Sequence, residues 1–395
     1  MDLPTLPFDR PNLLDLAPKM RELQADDPIC RVRTSAGDEA WLVTRYDDVR
    51  TLLADPRLGR SHPTPERAAR ISQSALLGGA ADGFDTEDAD HALMRARLVP
   101  RFSARRMRLL KQRVETMVDD LLTALAQRTP PVDLHEALSF PLPVLVICEL
   151  LGVPYADRDH FRALSTGTAD TTDNQLSAKS YQALIDYVRD LVARKRTEPG
   201  NDMLSELITV EDGALTDDDI AGLGAIVLFA GHETTVVRID MGTLLLLSNP
   251  EQYTALRDDP TRTPSAVEEI LRLGVGGAGS GGMLRYARTD VDISGVRINA
   301  GDAVLLAISS ANQDGRAYQD PDRMDITRAP GSPHLSFGHG ARYCIGAALA
   351  RVELTAVFER LGPRFPTLRL AVPVSDLRWR SHLLSGGLTE LPVTW

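Results

Sequence analysis

Between positions 88 and 273 apolar residues recur mainly at helical spacing, whereas the stretches on either side alternate. On the N-terminal side, "ICRVRTSAGDEAWLVTR" predicts two short strands joined by a Ser-Ala-Gly-Asp turn, and "YDDVRTLL" a helix. On the C-terminal side, "RYARTDVDISGVRINAGDAVLLAISSAN" alternates again, with Gly295 and Gly301 at turns, and predicts a small hairpin sheet. The fold class is therefore mainly α with small β-sheets. One helix should dominate it: Thr216 suits an N-cap, Asp217, Asp218 and Asp219 suit the positive end of the dipole, and nothing breaks the pattern before Asn249-Pro250. At 1.5 Å per residue it would span roughly 50 Å and cross the whole domain.

The middle of that helix reads "FAGHETTVVRID". Ala230 and Gly231 are small where a core helix would carry bulk, and Glu233 and Thr234 set an acid and a hydroxyl beside the gap. One reading is that something other than a packed side chain fills the space. The other is a solvent-facing stripe with Glu233 as a surface charge, and this segment alone leaves both open.

Composition narrows the class. The chain has 395 residues, 55 acidic against 44 basic side chains and a net charge of -11, which fits a soluble globular protein with a large core. No linker, repeat or composition shift divides it, so a single domain over residues 1–395 is expected. Its three widely separated cysteines argue against a disulfide framework and fit a reducing compartment, the cytoplasm by default. The N-terminus lacks a basic segment leading into an apolar run, and "IAGLGAIVLFAG" and "MGTLLLL" fall short of a membrane span; neither secretion signal nor membrane anchor is expected.

Two motifs need weighing. Residues 274–279, "GVGGAG", satisfy G-x-G-x-x-G, but a helix precedes them and a strand-like segment follows, the reverse of a dinucleotide site, so the nicotinamide reading is rejected. The second is "HLSFGHGARYCIGAALARVEL", residues 334–354, where a lone cysteine sits between glycines before an apolar helix. Cys344 lacks the neighbours of a zinc site, and His339 stands in no protease context. Cys148, within "PVLVICELLG", fits a buried structural thiol. Cys344 differs, because a helix begins directly after it, with Ile345, Leu349, Val352 and Ala356 on one stripe, and a helix N-terminus favours thiolate. Gly338, Gly340 and Gly346 let a large flat group approach the backbone. A single thiolate beside a bare surface suits an axial haem ligand.

At this point "FGHGARYCIG" resembles the haem-binding loop of the cytochrome P450 superfamily, F-x-x-G-x-[HR]-x-C-x-G, with every fixed position met. The resemblance extends from about His91 onwards and is nearest to soluble bacterial, ferredoxin-dependent P450s of macrolide and polyketide secondary metabolism. It implies a long central helix over haem b (iron protoporphyrin IX), with Cys344 as axial iron ligand. Phe337, Gly338, Gly346 and Ala230 would lie against the cofactor, and His91, Arg95, Arg285 and Arg342 would bind its propionates. Glu269 and Arg272, with Arg328, match the family's structural triad. "AGHETT" is similar to the oxygen-activating segment, which makes Glu233 and Thr234 the catalytic pair: Thr234 organises water or hydrogen-bonds dioxygen, and Glu233 supplies or relays protons.

The implied reaction inserts one atom of the cosubstrate O2 into a bulky apolar natural product, by hydroxylation or epoxidation, a macrolide being the favoured example; steroids, terpenes and fatty acids stay open. A noncatalytic haem-thiolate sensor would share the cysteine loop and gain nothing from Glu233 and Thr234, and a thiol hydrolase would bind no haem. Ile226, Ala230, Gly279, Met283 and Leu384 are the expected pocket residues, together with the loop before His91 and residues 166–172. Electrons should come from a ferredoxin and its NAD(P)H-dependent reductase, since the chain has no room for a flavin or iron–sulfur module. "HALMRARLVPRFSARRMRLLKQR" has eight basic residues and no acid; Arg97, Arg101, Arg105 and Arg106 are the expected docking patch for an acidic redox partner. A nucleic-acid patch is disfavoured by the overall charge and the lack of interleaved aromatics. A monomer is expected.

Overall fold

In the computed structural model, which describes residues 3–209, 215–274, 281–329 and 331–395, the axis of the molecule is the helix Asp217–Ser248. Its 32 residues span about 48 Å. Thr216 and Asp219 form a capping box, the hydroxyl accepting from the Asp219 amide at 3.2 Å and the carboxylate accepting from the Thr216 amide at 2.9 Å. Asn249 ends the helix and Pro250 opens the next one.

This helix is apolar on almost all sides and is buried among its neighbours, as such a pattern requires. By length and composition it could cross a membrane, which corrects the expectation that no stretch is long enough; 67% of its most apolar 18-residue window is nevertheless buried inside the molecule. Three glycines mark its crossings. A Cβ at Gly224 would meet Val188 at 2.7 Å, one at Gly231 would meet Ile147 at 2.7 Å, and one at Gly242 would meet Phe358 at 2.5 Å. Each glycine costs about 1 kcal/mol of helix propensity and admits a partner helix at close range: Asn174–Thr197, Pro141–Leu151 and Ala347–Arg364 respectively. Gly231 is thus small because of Ile147, not because of a gap.

Both predicted β regions form, and they join. Ile29–Arg33 and Glu39–Val43 pair antiparallel about a turn in which Gly37 has φ +94°. The second of these strands then pairs in parallel with Ala303–Leu306, Leu42 opposite Leu305, and Met283–Ala287 and Leu58–Gly59 complete a five-stranded sheet. The hairpin Val291–Ile293/Val296–Ile298, turning at Gly295, stands apart from it. A three-stranded sheet of Val132–Asp133, Pro392–Thr394 and Arg369–Leu370 ties down the C-terminus.

Glu269, Arg272 and Arg328 are brought into one buried assembly. Arg272 Nε and Nη2 donate to the two Glu269 oxygens, each at 2.8 Å, and Arg328 Nε donates at 3.1 Å. The spare Arg272 nitrogen reaches the carbonyls of Asn312 (2.9 Å) and Pro321 (2.6 Å). Asn312 in turn accepts from the Leu335 amide at 2.7 Å and donates to Ser336 Oγ at 2.8 Å, so the triad fixes the start of the cysteine loop through one asparagine. Glu269→Gln would leave Arg272 buried with a crippled partner, at a cost of about 3–5 kcal/mol. A fall in thermal midpoint with concurrent cofactor loss is the expected result, and an unchanged midpoint would contradict it.

Candidate active site

The central helix exposes one narrow face. Ile226, Ala230 and Thr234, spaced by four, stay accessible on a helix otherwise largely buried, and all three line a cavity of about 900 Å³. Thr234 Oγ1 donates to the Ala230 carbonyl at 2.9 Å. Glu233 does not share this face. It is 2% exposed, lies behind the helix and leaves Oε2 unpartnered, which overturns both the solvent-facing reading and the expectation that acid and hydroxyl border one gap. Burial raises the pKa of Glu233 and so favours its neutral, proton-bearing form, against the opposing fields of Arg380, His135 and Arg162. Beside it, His232 is wedged between the rings of Phe140 and Phe161, and burial draws its pKa down to about 3.

Of the expected pocket residues, Met283 and Leu384 line the same cavity with Ile226 and Ala230, and Gly279 lies outside the described residues. The loop before His91 contributes Leu76, Leu77 and Ala81. Residues 166–172 do not reach the wall; instead the Ala169 carbonyl accepts from the Leu384 amide at 2.8 Å and Thr171 N donates to the His382 carbonyl, so this segment holds the turn that does. The sequence reading missed the N-terminal segment, which lines the cavity through Leu6, Phe8 and Leu13, and missed Arg10, Arg60 and Arg238.

The cysteine loop is built on backbone geometry. Gly338 and Gly340 have φ near +73° and +72°, and a Cβ on Gly340 would lie 2.9 Å from Ala54 Cα. The Cys344 amide donates to the Phe337 carbonyl at 2.9 Å, and the helix Ala347–Arg364 starts after Gly346. Leu349 and Ala356 are buried as the stripe predicts, whereas Ile345 and Val352 are only half-buried. Glu268 pins the loop: it accepts from Arg351 at 2.6 and 2.9 Å and meets His334 Nε2 at 3.1 Å, while the Arg351 guanidinium sits 4.6 Å over the Phe337 ring. Desolvation raises the Cys344 pKa and outweighs the Gly346 and Ala347 amides and the fields of Arg95 and Arg351.

A cluster of cations gathers at the side of this loop. Arg342 donates to Glu87 at 2.5 Å, and Arg95 to the Tyr343 carbonyl at 2.8 Å. Arg285 is buried with, among the described residues, only the Leu284 carbonyl (2.8 Å) and Met283 Sδ (3.0 Å) as partners, and its pKa falls to about 9 through burial and the fields of Arg60 and Arg342. Burial, Arg342 and Arg95 likewise lower the pKa of His91. Arg60 leaves Nε unpartnered, and Glu87 is engaged by the Arg60 and Ser61 amides at 2.7 and 3.0 Å. Four arginines and a histidine, Arg285 among them buried, thus gather around Glu87 and the exposed Asp88, which lies 3.5 Å from Arg342, and leave room for further anionic oxygens.

Residues 170–367 match the family model Cytochrome P450. Pentalenolactone synthase of Streptomyces exfoliatus is 55% identical over 399 residues, covering all of both chains, and mycinamicin IV hydroxylase/epoxidase of Micromonospora griseorubida is 40% identical over 98% of each. The substrate-free structure of PimD, a polyene macrolide antibiotic pimaricin epoxidase, superposes with a TM-score of 0.89 at 42% identity over the full length of both chains. The chain belongs to the cytochrome P450 family. As a P450 it is an O2-dependent monooxygenase that works with haem and an external redox partner, and its helix-rich fold with small sheets is the fold of P450 structures.

The residues present fit that cofactor. Cys344 offers a lone sulfur, since among the described residues no group of three or more His, Cys, Asp and Glu could hold a bare metal ion. The cation cluster offers His91, Arg95, Arg285 and Arg342, with Arg60 added, to two propionates.

Proposed function

We propose that this P450 oxidises a bulky, mostly apolar natural product by hydroxylation or epoxidation, as its relatives' names describe for theirs. The observation that carries this is the open face Ile226–Ala230–Thr234 on the wall of a large, mainly apolar cavity. Haem, when bound, supplies an iron whose thiolate donor favours O–O cleavage. Cys344 would hold it, with Phe337, Gly338 and Gly346 shaping the loop, and the cation cluster would bind its carboxylates. Thr234 holds and reorients a proton at Oγ1, and Glu233, buried behind the helix, is the group that stores one. A macrolide remains the favoured example of the substrate. The reduced, carbon monoxide-bound spectrum tests the haem-thiolate reading, and turnover with a surrogate ferredoxin separates an enzyme from a sensor.

The chain acts, on this proposal, as one haem domain and one monomer in the cytoplasm, reduced by a ferredoxin with its NAD(P)H-dependent reductase. The basic stretch supports an acidic partner, but less of it is available than its composition implies. Arg106 donates to Glu206 at 2.5 Å, Arg101 lies 3.7 Å from the same carboxylate and Arg97 is half-buried, leaving Arg105 and Arg108 exposed beside Leu109. Both lie on the helix Ala104–Ala126, which packs along the helix that follows Cys344. Reversing Arg105 and Arg108 to Glu should slow reduction by an acidic ferredoxin about tenfold at low salt and flatten its salt dependence. Unaltered reduction kinetics across a salt series would remove this face from the partner's footprint.

A further inference from the structure

The cavity wall is mostly apolar, yet among the described residues it carries three arginines and neither aspartate nor glutamate. Arg60 belongs to the cation cluster, since its field acts on Arg285. Arg10 stands 4.9 Å over the Trp379 ring, with Asp15 as its acidic neighbour. Arg238 has no such company.

Arg238 lies on the central helix four residues beyond Thr234, about 6 Å along the axis. Its Nη1 donates to the Gly274 carbonyl, among the described residues its one hydrogen-bond partner, and among them it makes no ion pair; the part of its surface that stays accessible borders the cavity. Burial draws its pKa down to about 10, and no carboxylate field opposes the fall. Nor does it share the fields of Arg60, Arg285 and Arg342, which act among themselves, so anionic oxygens held by that cluster leave Arg238 uncompensated. A half-buried guanidinium without a counter-ion is a cost to the folded protein, and one kept on the wall of a binding cavity is offset when a ligand brings an anion to it.

We infer that Arg238 is the anchor for a carboxylate carried by the substrate, so that this enzyme acts on an acidic natural product whose anionic group lies about one helical turn from the carbon being oxidised. The inference rests on the monooxygenase reading and deepens it. Arginine matches a carboxylate in shape, with two parallel N–H donors, and discriminates it from the neutral ester.

The test uses haem-loaded protein and a panel of carboxylic acids on bulky apolar skeletons of graded size, each paired with its methyl ester, with binding read from the Soret shift. Wild type should prefer acids over esters about tenfold; Arg238→Gln should reduce the preference below about twofold, and Arg238→Lys should keep part of it. Without ligand, Arg238→Met should not lower the thermal midpoint, because the charge it removes is uncompensated. A panel in which no acid outbinds its ester, failures to bind included, overturns the anchor. So does a preference that survives in Arg238→Gln, or a midpoint drop of several degrees in Arg238→Met, which would make the residue a clamp on Gly274. The reduced carbon monoxide spectrum, recorded on the same samples, separates the two levels: loss of the thiolate band sinks the monooxygenase reading, whereas an intact band without acid preference sinks the anchor alone.

Discussion

Cys344→Ser should abolish the thiolate-type spectrum of the reduced, carbon monoxide-bound protein and bring product formation to background, with the fold intact. Serine keeps the size of the side chain, and nothing in the loop depends on sulfur for its shape. The turn is closed by the Cys344 amide on the Phe337 carbonyl, by the positive φ of Gly338 and Gly340, and by the Glu268–Arg351 pair beneath Phe337. Thermal unfolding should therefore shift by no more than about 1 kcal/mol when the two proteins are compared without cofactor. A serine variant that kept the spectrum would show that another side chain carries the metal.

Thr234→Ala should keep the haem content and the spectrum while product falls about 10- to 100-fold, with oxygen and reductant still consumed and recovered as peroxide. The hydroxyl borders the cavity and is held by the Ala230 carbonyl, so it is placed to turn inward and present its proton where the oxidant works. Alanine removes that proton and widens the cavity at the same point. Thr234→Ser should restore most of the coupling, which a loss through altered packing alone would not permit. Tight coupling in the alanine variant would remove Thr234 from proton handling, and the burial of Glu233 would then need another explanation.

What the sequence disclosed was whatever local chemistry writes plainly. The capping box at Thr216, the turns at Gly37, Gly295 and Gly301, and the spacing of Glu269 and Arg272 each depend on residues close together in the chain. The cysteine loop was equally legible, because its glycines answer to backbone geometry. Long-range placement was not. Gly231 looked like part of a gap and is instead the seat of Ile147, 84 positions earlier. Glu233 and Thr234, adjacent in sequence, point about 100° apart on a helix, so one meets the cavity and the other the core. Arg106 carried its charge in the composition and spends it on Glu206, and Asn312, the joint between the triad and the loop, has no local signature.

The parallel pairing of Glu39–Val43 with Ala303–Leu306 sets a timetable for biosynthesis. The first hairpin leaves the ribosome early with one edge bare, and its partner strand follows some 260 codons later. At about 5–20 residues per second the nascent chain carries that open edge for roughly 13–50 s. Chaperone dependence during translation should therefore include the amino-terminal hairpin, whose partner strand comes last, as well as the long apolar helix, whose earlier neighbours Pro141–Leu151 and Asn174–Thr197 are already made when it emerges.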